Sequence, residues 1–71
     1  MERNQWGRRI KAFRKLKGYT QVAFARELGV SVTQLGEIER GERTPMKEQL
    51  DAIVEHLGIS LEELEPKQKD L

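Results

Sequence analysis

Two short helix-forming units stand back to back between Thr20 and Gly41, TQVAFARELGVSVTQLGEIERG, and each begins with a hydroxyl cap and runs to a glycine. Thr20 can cap the first, whose Phe24, Ala25 and Leu28 fall at i, i+1 and i+4 and give one narrow apolar face. Gly29 follows the last apolar position, where a left-handed backbone stops a helix; Val30 is a small apolar plug, and Ser31 can cap the next unit. The second helix sends Leu35 and Ile38 inward and leaves Val32, Thr33, Gln34 and Glu37 without a core role. A tight glycine turn between two helices of about two turns each is the geometry that lays a second helix in a DNA major groove.

The rest of the chain supplies helices to pack against this pair. Trp6, Ile10, Phe13 and then Leu16 or Lys17 recur every three to four residues, which predicts a first helix over 6–17, ended by Gly18. Tyr19 bridges to the Thr20 cap as a packing residue. Pro45 is predicted to open a fourth helix with Thr44 as its cap, and Leu50, Ile53, Val54 and Leu57 mark its buried stripe up to Gly58. Ser60 and Glu63 have capping-box spacing for a short fifth helix over 61–65. The expected fold class is therefore all-α, five short helices around one core, with residues 1–5 as a flexible start and 66–71 as a flexible tail.

At 71 residues there is room for one domain near the lower size that a hydrophobic core alone can hold. Periodic apolar residues, 37% of the chain, make it globular despite 35% charge. It has no cysteine, which excludes disulfides and thiolate metal sites, and its single histidine makes zinc implausible. No apolar run is long enough for a signal peptide or a membrane helix, so the expectation is a cytoplasmic protein with no membrane association. The net charge of +1 hides a polarity: residues 1–20 carry +6, residues 21–44 carry −1 and residues 45–71 carry −4. The basic end can meet phosphates while the acidic end faces away.

Gln21, Phe24-Ala25, Leu28-Gly29-Val30, Ser31, Leu35, Ile38-Glu39-Arg40-Gly41 and Pro45 together resemble the phage-repressor/Cro-type helix-turn-helix (XRE) family, with its lambda-repressor-like domain, over residues 6–65. The resemblance implies a DNA-binding transcriptional regulator and not an enzyme. It implies that Val32, Thr33 and Glu37 face the bases, with Gln34 at the groove edge. Gln34 can pair with adenine, Thr33 suits several bases, and Val32 can meet a thymine methyl. Glu37 is repelled by phosphates unless it accepts from a cytosine amino group. Gln21, at a helix start, is expected to hold a phosphate; Ser31, Arg40, Arg43 and Thr44 flank the second helix and its exit loop and are expected to hold the opposite strand. For Arg40 and Thr44 helix capping is an equal alternative, and Glu42 weakens the case for Arg43. Arg14 and Glu39 are implied to be a partly buried ion pair with a structural role. Gly36 weakens its helix by about 1 kcal/mol relative to alanine, and either admits a close backbone approach to DNA or is a tolerated weak position.

The residues give little support to catalysis: the carboxylates, Glu62, Glu63 and Glu65 among them, lie on a solvated face, and His56 complements the end of the fourth helix. A single module buries too little surface for strong specificity, so a homodimer on a palindromic operator and action as a repressor are expected, with double-stranded DNA as partner. Ile59, Leu61 and Leu64 are candidates for the dimer surface, with Met46 and Leu71 behind them; Leu61 and Leu64 alternatively close the core against Trp6. No cofactor or small-molecule effector is expected. The rival expectation is an antitoxin or protein-interaction adaptor whose acidic half takes a protein partner.

Overall fold

In the computed structural model, which describes residues 6–66, five helices follow one another: α1 (Trp6–Leu16), α2 (Gln21–Leu28), α3 (Val32–Glu39), α4 (Lys47–Leu57) and α5 (Leu61–Leu64). Among the described residues there is no strand. The stretches expected as a flexible start and tail lie outside the described residues, apart from Pro66.

Local hydrogen-bond chemistry sets most of the boundaries. The Thr20 hydroxyl accepts from the Ala23 N–H at 3.0 Å, and the Ser31 hydroxyl accepts from the Gln34 N–H at 2.9 Å, so each side chain satisfies one of the donors that a helix start leaves open. Between them Gly29 takes the left-handed conformation, φ 76°, and the Val30 N–H then reaches back to the Ala25 carbonyl at 3.0 Å. A side chain is strained at that φ, which is why glycine ends α2. Ser60 and Glu63 make both halves of a capping box on α5, at 3.0 Å and 2.9 Å.

The start of α4 differs from the expectation. Thr44 is exposed and caps nothing; Met46 is the cap residue, and Pro45 is buried one position before it. Methionine has no side-chain oxygen to offer, so only the reciprocal half of a capping box forms, with the Met46 N–H donating to the Gln49 side chain at 2.9 Å. A glutamine at the third helical position outweighed the hydroxyl in setting the start, and proline remains in the turn instead of opening the helix. Two ends also shorten: α1 stops at Leu16 and α5 at Leu64. Leu16 is 74% exposed, so of the two residues left open for the α1 stripe it is not a core position.

The core joins all five helices through Ile10, Phe24, Ala25, Leu35, Ile38, Ile53, Leu57 and Leu64, each buried. Trp6, Phe13, Tyr19, Leu28, Val30, Leu50, Val54 and Ile59 pack around them. Tyr19 meets Phe24 with ring centroids 4.9 Å apart, in the packing role expected of it. Leu64 is fully buried and closes the core, so it is unavailable to a dimer surface; its helix lies against α1 and α4. Leu61 is 43% exposed and Ile59 is half-buried. α3 packs on both α1 and α2, which fixes its inner face and its direction.

Candidate nucleic-acid interface

α3 divides along its length. Leu35, Gly36, Ile38 and Glu39 are buried, whereas Val32 and Thr33 are exposed and Gln34 and Glu37 are half-buried at the margin. The first turn therefore presents a methyl-bearing face, a hydroxyl and an amide, and the next turn a carboxylate, on one side of a helix whose other side is locked.

The lock is polar. Arg14 on α1 donates from Nε to Glu39 Oε2 at 2.7 Å and from Nη2 to Glu39 Oε1 at 3.1 Å, a two-point pair whose side chains are 7% and 2% exposed. Arg14 Nη1 also donates to the Tyr19 carbonyl at 2.9 Å, and Gln21 Nε2 donates to Glu39 Oε1 at 3.0 Å. The Glu39 carboxylate thus ties α1, the first residue of α2 and the end of α3, and Arg14 adds the α1–α2 turn. Every buried side-chain nitrogen and oxygen among the described residues has a partner, the condition under which a buried pair rigidifies instead of destabilising. Gln21, a residue expected to hold a phosphate, is part of this network.

Beyond α3 the chain folds back on Glu37. The Glu42 and Arg43 N–H groups both donate to the Glu37 carbonyl, at 2.8 Å and 3.3 Å, with Gly41 at φ 81° making the turn. Two arginines then sort onto two carboxylates. Arg40 donates to Glu42 from Nε at 3.0 Å and Nη2 at 3.2 Å, and Arg43 Nε donates to Glu37 Oε1 at 2.9 Å. The hydrogen bond from Arg40 holds the Glu42 carboxyl below the ordinary carboxylate range, and Glu42 raises the Arg40 guanidinium in return. Gly36 lies under Arg40: a β-carbon there would sit 3.0 Å from Arg40 Nη1 and 3.8 Å from Gln21 Nε2. Two residues expected at phosphates, Gln21 from α2 and Arg40 just past α3, thus lie over the same point of α3. Thr44 is exposed just beyond this loop.

Two residues have roles that the sequence pattern did not reveal. Gly7 packs α1 so closely on α3 that an added β-carbon would overlap the Ile38 carbonyl oxygen and lie 2.7 Å from the Glu39 carbonyl oxygen. The available signal was a glycine inside an apolar helical repeat. Arg9, counted among the basic residues of the first segment, instead donates to the Leu64 carbonyl at 2.9 Å and the Glu63 carbonyl at 2.6 Å, and lies 5.7 Å from the Phe13 ring centre. No local signal marks that contact. Arg8, Lys11 and Lys15 remain exposed on α1.

The His56 Nε2 lies 3.6 Å from Glu27 and its Nδ1 2.9 Å from the Ala52 carbonyl, joining α4 to α2. Where α2, α3 and α4 meet, Leu28, Val30, Ile38 and Ile53 line an apolar cleft of about 170 Å³. Among the described residues, no three His, Cys, Asp or Glu side chains are grouped to hold a metal ion, and no helix is long and apolar enough to cross a membrane.

The helix-turn-helix family model HTH_3 matches residues 10–64. The chain belongs to this helix-turn-helix family of DNA-binding transcriptional regulators, a family of the XRE type and not of enzymes. It is 56% identical over 69 residues to the uncharacterized HTH-type transcriptional regulator YazB of Bacillus subtilis, covering 97% of this chain and 100% of that one. It is 40% identical over 55 residues to the immunity repressor protein of Bacillus phage phi105, covering 78% of this chain and 38% of the repressor. Among solved structures, SinR, a master regulator for biofilm formation in complex with DNA, superposes with a TM-score of 0.77 at 37% identity, covering 83% of this chain and 95% of that one.

Proposed function

We propose that this regulator is a repressor that binds a palindromic operator as a homodimer, with the start of α3 in the major groove, and acts by occluding a promoter. The observation that carries the reading is the division of α3: one face is clamped by Leu35, Ile38 and the Arg14–Glu39 pair, and the other holds only base-reading chemistry. Val32, Thr33 and Glu37 meet the bases, and Gln34 meets the groove edge. Gln21, Ser31, Arg40, Arg43 and Thr44 hold phosphates, which position the helix and carry the salt dependence. Likeness to a phage immunity repressor and to a regulator solved on DNA supports this assignment.

Leu61, exposed at the start of α5, and the half-buried Ile59 just before that helix are the apolar residues offered to a second copy. A twofold dimer sets half-sites one turn of DNA apart, roughly 34 Å. The test is selection of bound sequences from a random DNA pool at moderate salt, followed by sizing of the complex. An enriched palindrome carrying two chains is the expected result. The double variant Thr33→Ala/Gln34→Ala should lose operator binding while its helical content and melting temperature stay those of the parent. Unchanged affinity of that variant would refute the groove assignment, and a folded protein that enriches no sequence would refute the operator reading.

A further inference from the structure

Glu37 is the residue whose presence on α3 most needs a physical account, because a carboxylate entering a groove lined by phosphates is repelled by both strands. The fold answers this at the end of α3. The turn at Gly41 brings the Arg43 N–H to the Glu37 carbonyl, and the Arg43 side chain then donates to the carboxylate of the same residue at 2.9 Å. Arg43 is thus registered on Glu37 twice, once by backbone and once by side chain. Glu42 is the nearest competing carboxylate in the loop, and it is engaged by Arg40 through two hydrogen bonds. The two arginines and two carboxylates are sorted so that the pair on α3 is Arg43–Glu37.

We infer that Arg43 is a specificity-determining positioning residue: it holds the Glu37 carboxylate, offsets its charge and aims it at the amino group of a cytosine. A carboxylate has about four lone-pair sites, so Oε1 can accept from Arg43 while the group accepts from cytosine N4 as well. The side chain of Glu37 is 30% exposed, against 50% for Arg43, so the carboxylate is the more confined partner of the two. In water such a pair contributes little to stability. In a groove its effect is on geometry and charge, which a base-preference measurement reads directly. This role goes beyond a phosphate contact, and it rests on the DNA-binding reading above.

The experiment repeats the random-pool selection with the parent chain, Glu37→Gln, Arg43→Gln and Arg43→Lys, and follows salt dependence on the enriched site. The parent should show one half-site position that prefers cytosine by roughly tenfold or more. Glu37→Gln should move that position away from cytosine. Arg43→Gln should flatten the same position and leave preferences elsewhere in the half-site intact. Arg43→Lys keeps the positive charge without the planar fork, so it should keep the parent's salt slope and still lose part of the cytosine preference. If Arg43→Gln weakens all sequences equally and lowers the salt slope by about one, Arg43 is a phosphate contact only and the inference is wrong. It is equally wrong if Glu37→Gln leaves every base preference in place. A parent chain that enriches nothing overturns the DNA reading itself, a result separable from both.

Discussion

Replacing Gly7 with alanine should destabilise the domain, although alanine is the better helix former. Inside a helix the exchange normally stabilises by about 0.5–1 kcal/mol, through lower backbone entropy in the unfolded chain. Here the new β-carbon would overlap the Ile38 carbonyl oxygen and approach Glu39 backbone atoms at 2.7 and 2.8 Å. Those atoms belong to the hydrogen-bonded backbone of α3, so they cannot rotate away as a side-chain tip would. Relief requires α1 to move off α3, which strains the buried Arg14–Glu39 pair as well. Overpacking of this kind costs about 1–3 kcal/mol, and contact with rigid backbone argues for the upper part of that range. Net of the helix gain, the loss is about 1–2 kcal/mol. With a urea slope of about 1 kcal/mol/M for so small a chain, the unfolding midpoint should fall by about 1–2 M. Gly36→Ala is the internal control. Its new β-carbon meets the flexible tip of Arg40 at 3.0 Å, which can swing aside, so this variant should match or exceed the parent. A Gly7→Ala domain at least as stable as the parent would refute the claim that close backbone approach explains this glycine.

Glu39→Ala leaves Arg14 buried without its partner and should remove about 3–5 kcal/mol, a shift of well over 10 °C in melting temperature; a shift of only a few degrees would refute the role given to the pair. Leu64→Ala should destabilise by about 2–5 kcal/mol because the side chain is fully buried, whereas Leu61→Ala should leave the melting temperature of dilute protein unchanged. If Leu61→Ala also lowers the mass of the DNA complex, measured by light scattering, the α5 edge is the dimer contact. Arg40→Gln should let the Glu42 carboxyl titrate higher, towards its ordinary value near 4.5, in an NMR titration. The sign follows from the depressed value in the folded chain: the Arg40–Glu42 contact is present above the ordinary carboxylate range and lost as pH falls through the lowered one.

Helix starts at Thr20, Ser31 and Ser60 were legible because a cap and its recipient N–H are three residues apart. The same local logic failed at Thr44: α4 starts at Lys47, with the Met46 N–H donating to the Gln49 side chain and Pro45 buried in the turn before it. Apolar spacing placed Ile10, Leu35, Ile53 and Leu57 inside, yet it could not decide Leu16, which stands off the α1 stripe and points to water. Leu64 was ambiguous for a different reason: in a helix of four residues no periodicity separates an inner face from an outer one. The least legible features were contacts between residues far apart in sequence. Arg9 meets carbonyls 54 and 55 residues away, and Gln21 meets Glu39 18 residues away; nothing in either neighbourhood announces its partner. Gly36 reads as a weak helix position and Gly7 drew no reading from the sequence; only what lies against each one in the fold, backbone for Gly7 and side-chain tips for Gly36, separates them.

The grip of Arg9 on α5 bears on how the chain survives its own synthesis. α5 is one turn long, far below the roughly 12 residues at which a helix persists alone in water, and its last carbonyls are held from α1, 54 and 55 residues earlier in sequence. Leu64, which plugs the core, arrives only with that turn. A nascent chain therefore holds an unfilled core until α5 has left the ribosome. A variant cut short before Leu64 should therefore be degraded faster than the parent and not persist as a shortened regulator.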